Sequence, residues 1–122
     1  MDSLAAIVNQ CRKDSIDWFG DETANNLSIY SLGLAGEAGE FCDELKKVMR
    51  GSQSLTDALP KLSEELADLF IYVCNVAALL HVDLGREYDD KRERNVHRFS
   101  NAGTGNDLPN PNGEGSGVRT GG

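Results

Sequence analysis

Two stretches decide the fold: GLAGEAGEFCDELKK over residues 33–47 and SEELADLFIYV over residues 63–73. Neither alternates apolar and polar residues as a half-buried strand would; both repeat at helical spacing. Each carries a pair of acids three positions apart, Glu37 with Glu40 and Glu65 with Asp68. In a helix such a pair lies about 60° apart around the axis, so it projects from one face. Two of these pairs on packed helices can converge on one point.

The surrounding sequence extends these stretches into helices. Residues 1–99 hold a single proline, Pro60, and six glycines, and they read as all-α, a four-helix-bundle-like domain. The first helix is expected over residues 3–18, where Leu4, Ile7, Val8 and Cys11 form an apolar stripe and Gly20 lies just beyond. The second is expected over residues 26–50, with Lys46, Lys47 and Arg50 in the last turn and Gly51 as its stop signal. The third is expected to start between Asp57 and Pro60, with the proline in its first turn, and to reach about His81. The fourth is expected from about Asp83 to Phe99. Gly33, Gly36 and Gly39 sit inside the second helix, each at a cost of about 1 kcal/mol relative to alanine. Close helix–helix contact is the leading explanation, and room for a ligand the alternative. Trp18 and Phe19 are expected to close the core, although with Tyr30 they could also stack on a planar ligand. From Ser100 to Gly122 the chain has seven Gly, four Asn and two Pro and is expected to be a flexible tail.

Charge and cysteine usage exclude several classes. Of 122 residues, 20 are acidic and 12 are Lys or Arg, a net charge of -8. That balance argues against nucleic acid and an anionic membrane as partners. The run over residues 66–80 is interrupted by Asp68 and Asn75 and is too short to cross a bilayer. No signal peptide is read at the start. Three cysteines, Cys11, Cys42 and Cys74, without CxxC spacing argue against a disulfide framework. A cytoplasmic protein is the expectation.

Four carboxylates on one point would repel one another unless a cation joined them. All-oxygen anionic ligands suit hard cations, Mg²⁺ or Mn²⁺. Di-iron and zinc sites need histidine, and neither His81 nor His97 stands three residues after a glutamate. Asp68 lies in LADLFIYVCNV, where a buried lone carboxylate would be costly. Glu44 and Glu64 are auxiliary ligands or lysine partners.

These strings, with KRERNVHRF over residues 91–99, resemble the MazG-like all-α nucleoside triphosphate pyrophosphohydrolases, a family related to dCTP pyrophosphatases and dimeric all-α dUTPases. The signature is Glu-x-x-Glu followed by Glu-x-x-Asp, here with 24 residues between Glu40 and Glu65, and downstream a Lys and an Asn four apart, here Lys91 and Asn95. The resemblance implies that Glu37, Glu40, Glu65 and Asp68 bind Mg²⁺, with Mn²⁺ as a substitute. It implies that Lys91 and Asn95 contact the phosphates and that Tyr72, one turn past Asp68, lies near the ligand. Glu37 or Glu40 is the candidate general base. A homodimer or homotetramer acting on a nucleoside triphosphate is expected. The rival readings are a non-catalytic helical interaction module and the same fold specialised as a dUTPase or dCTPase.

Overall fold

A computed structural model of the chain describes residues 3–102 and holds four helices: α1 (Leu4–Ala24), α2 (Leu27–Met49), α3 (Leu55–Leu79) and α4 (Leu84–Ala102). No strand occurs among the described residues. Residues up to Gly85 form one compact unit, and those from Arg86 onward a second. Expected residues 103–122 of the tail lie outside the described residues. The fourth helix runs three residues past the predicted boundary, so residues 100–102 are helical.

Local chemistry sets the ends of each helix. The side-chain oxygens of Ser3, Asn26 and Ser54 accept from the backbone N–H of Ala6, Ile29 and Asp57 at 3.1–3.2 Å and cap α1, α2 and α3. At the far end of α2, Gly51 takes φ 81°, its N–H bonds to Val48 O, and the Ser52 N–H bonds to Lys47 O. This paired closure satisfies carbonyls the helix would otherwise leave open. α3 ends the same way, with His81 at φ 57° in the glycine position.

Two boundaries differ from the sequence reading, each for a physical reason. α1 continues past Trp18 to Ala24, because Gly20 (φ 83°, ψ 163°) supplies a kink and helical backbone resumes beyond it. α3 begins at Leu55, earlier than Asp57–Pro60, because Ser54 caps it, and Pro60 therefore stands inside the helix.

In the first unit α2 and α1 both pack on α3. The buried apolar residues are few and mostly small: Ala24, Tyr30, Ala58, Leu62, Cys74 and Ala77. Small side chains let helices approach closely, but they remove little apolar area from water. Much larger side chains stay outside. Leu55, Leu59, Leu66 and Phe70 follow one another along one side of α3 and are 42–56% exposed.

The described part of the second unit is α4 from Arg86 onward, which carries the exposed Tyr88 and Val96. Arg98 lies over the Phe99 ring, 5.1 Å from its centroid. No single helix among the described residues is long and apolar enough to cross a membrane.

Candidate metal centre and adjoining cavity

Three of the four paired acids meet where α2 packs on α3. Glu37 from α2 and Glu65 and Asp68 from α3 each offer a carboxylate oxygen, and these oxygens lie within 4.8 Å of one another. Glu65 is buried at 2% exposure, while Glu37 and Asp68 are half-buried. Glu40, one turn along α2, is exposed and stands outside this tight trio, although it interacts with Glu65.

The electrostatics of the trio are those of crowded anions. A hydrogen bond to Glu65, burial, and the charges of Glu40, Glu65 and Asp68 push the Glu37 carboxyl up from 4.5 to about 7. Glu65 moves the other way, held ionised by the Glu37 hydrogen bond and by Lys61. The Lys61 ammonium lies 3.0 Å from Glu65 Oε1, and its own pKa is raised by that contact. The Glu37 carboxyl therefore keeps its proton well above the usual carboxylate range, directed at Glu65.

This arrangement leaves two oxygens without partners. Apart from the proton Glu37 holds toward Glu65, Oε2 of Glu37 and Oε2 of Glu65 are buried with no hydrogen-bond partner among the described residues. A buried carboxylate oxygen in that state is costly. A hard divalent cation among the three carboxylates would satisfy both orphaned oxygens and displace the proton on Glu37. The donor set, all carboxylate, fits such an ion.

The other predicted residues are placed as follows. Lys91 is exposed and Asn95 half-buried, one turn apart on one face of α4, within the second unit. Glu44 is engaged by Lys47 at 2.9 Å and is a salt-bridge partner. Gly33 lies under the Tyr72 ring, and a Cβ there would overlap it. Gly36 and Gly39 face open space. The close-contact reading therefore holds for Gly33 alone.

Beside Asp68 the first unit contains a cavity of about 360 Å³, with Trp18, Phe19, Tyr30, Tyr72 and Asn75 in its wall. Tyr30 and Tyr72 are tilted against each other with ring centroids 5.8 Å apart, and Trp18 meets Phe19 edge-on at 6.3 Å. Trp18 and Phe19 do not close the core: they are 70% and 60% exposed and form an aromatic rim. Burial, followed by the Glu37 charge, raises the Tyr72 hydroxyl above its usual pKa, so it stays protonated.

Sequence reasoning missed the polar network behind this wall. Asn75 is fully buried, and its Oδ1 accepts from Arg12 Nη1 at 3.0 Å and Ser15 Oγ at 3.1 Å. Arg12 also donates to Ala24 O at 2.7 Å and to Asn25 Oδ1 at 2.8 Å, tying α1, the α1–α2 junction and α3 together. The signal was available: position 75 follows 68 by seven, which returns a helix to the same face.

Residues 26–101 match the family described as the MazG nucleotide pyrophosphohydrolase domain. The chain is 33% identical over 87 residues to dCTP pyrophosphatase 1 of Rattus norvegicus, covering 68% of this chain and 49% of that protein. It is 33% identical over 63 residues to Gene 37 protein of Mycobacterium phage L5, covering 50% and 55% respectively. The chain spans about half the length of these curated relatives. No solved structure matches. The family match covers more than half of the chain, including both acidic pairs, and the chain belongs to the MazG nucleotide pyrophosphohydrolase domain family.

Proposed function

We propose that the chain hydrolyses a nucleoside triphosphate to the monophosphate and pyrophosphate, with Mg²⁺ as its cofactor and Mn²⁺ as a substitute. The observation that carries this reading is the trio Glu37, Glu65 and Asp68, drawn within 4.8 Å with two buried oxygens left unpartnered. The family and the 33% identity to a dCTP pyrophosphatase support it. Glu37, Glu65 and Asp68, assisted by Glu40, would hold the cation. When bound, it offsets phosphate charge and makes a water acidic enough to attack at neutral pH.

The chain's own groups do the rest. Glu40, exposed at the edge of the trio, is the candidate to orient an incoming water; Glu37 is the alternative base. The carboxylate takes the water's proton as the water oxygen bonds to the α-phosphorus. The bond from that phosphorus to the α–β bridging oxygen breaks, and pyrophosphate leaves. On the family resemblance, Lys91 would offset charge on the phosphate tail and Asn95 would donate to it. Trp18, Tyr30 and Tyr72 give the base aromatic faces next to Asp68.

The working form is a homodimer or homotetramer. The exposed apolar side of α3 and the small core support an assembled state, because a chain of this size gains stability by burying such a face.

The test is a panel of canonical and modified NTPs and dNTPs incubated with Mg²⁺, with products identified by phosphorus NMR. Monophosphate and pyrophosphate in equal amounts are expected. Diphosphate and inorganic phosphate, or no turnover of any nucleotide, would overturn the reading.

A further inference from the structure

Lys61 and Glu65 stand four positions apart on α3, so one turn of helix sets them side by side. The ammonium lies 3.0 Å from Glu65 Oε1, and the two ends of the pair differ in their surroundings. The Glu65 side chain is 2% exposed, whereas that of Lys61 is 52% exposed. Lysine ahead of glutamate supports a helix less than the reverse order, so helix stability alone does not account for the pair. An ion pair wholly in water would contribute little. Here the contact serves a carboxylate taken out of water, and a buried anion needs a partner. Lys61 meets that need at Oε1 only. Oε2 stays buried and open, the oxygen that a cation would satisfy.

We propose that Lys61 is a positioning residue for the metal centre: by holding Oε1 it fixes the Glu65 carboxylate with Oε2 left for the cation. The inference rests on the Mg²⁺ reading and deepens it by naming a residue that sets metal affinity without touching the metal. Two effects of Lys61 oppose each other. Its charge repels an incoming divalent ion, and its hydrogen bond keeps a ligand in place. The Lys61 side chain is half in water, which screens the repulsion. The hold on Glu65 acts on a buried oxygen, where water does not compete for it. A free glutamate side chain loses rotamer freedom when it binds an ion, and a partner that fixes it beforehand removes that cost. The hold therefore outweighs the repulsion.

The experiment is calorimetric titration of Mg²⁺ into the full chain as wild type, Lys61→Met, Lys61→Gln and Lys61→Arg, with thermal melting of each in chelator. Lys61→Met should bind Mg²⁺ about tenfold more weakly, or worse. Lys61→Gln keeps a neutral donor and should fall between; it carries the test where Lys61→Met does not fold. Lys61→Arg restores a cationic donor and should bind within about twofold of the wild type. A lower melting temperature in Lys61→Met and Lys61→Gln with Mg²⁺ affinity unchanged would make Lys61 a structural ion pair only. Tighter Mg²⁺ binding by those two variants would make Lys61 a competitor of the cation. Either result overturns this inference alone. If the wild type binds no Mg²⁺, the underlying reading fails and takes this inference with it.

Discussion

Glu37 is the side chain most strained by the crowding of charge, and its protonation makes that strain measurable. Its carboxyl is raised to about 7 in the folded chain from an ordinary 4.5. A raised carboxyl pKa means that folding takes up a proton, so this contribution is complete below pH 4.5 and is lost as pH rises through 7. Glu65 is lowered, and its contribution is present above its ordinary pKa and lost only at lower pH. Between those values Glu37 dominates this site's titration. In chelator, thermal stability should therefore fall from pH 5 to pH 8, and Glu37→Gln should flatten the slope. A slope unchanged by that substitution would show that the crowding is unimportant. Glu65 and Asp68 were legible as a pair on one helix face, because residues at i and i+3 share it; the same spacing set Glu40 beside Glu37, yet only Glu37 joins them in the trio, and the four as a metal set came from the family resemblance. Trp18 and Phe19 were misread, because an apolar side chain announces only that it prefers burial, not whether a neighbour covers it. Asn75 was passed over because a hydrogen-bond partner 63 positions away leaves no local trace.

The helices themselves were legible in type and less so in extent. Ser54 sets the start of α3, yet Pro60 drew the predicted start inward, since proline is favoured in a first turn and this one lies deeper. Gly20 was read as a stop and is a kink, a distinction that depends on what α1 meets afterwards. Along α2 the three glycines looked alike, and packing separates them. Gly33→Ala should destabilise the fold by about 1–3 kcal/mol, because the added methyl overlaps Tyr72 on α3. Gly39→Ala meets open space and should stabilise by about 1 kcal/mol through helix propensity alone. Chemical denaturation of the two variants checks both signs. Equal effects would show that α2 and α3 are not in close contact at Gly33.

At the scale of the molecule, the all-α class followed from periodicity, whereas assembly depends on surfaces the sequence shows only as apolar residues. Leu55, Leu59, Leu66 and Phe70 leave α3 with an exposed apolar side. Leu59→Glu with Leu66→Glu should shift the mass measured by light scattering from an oligomer to a monomer. An unchanged mass would place the contact elsewhere. The candidate metal centre draws on α2 and α3 of one chain, so its proposed cation binding is tested directly. Magnesium titrated calorimetrically into the wild type and into Asp68→Asn tests whether the carboxylate trio holds a cation. Saturable binding by the wild type, lost in Asp68→Asn while helical content by circular dichroism is unchanged, is the predicted result. Equal magnesium binding by the two proteins, or none by the wild type, would show that the trio is not a cation site.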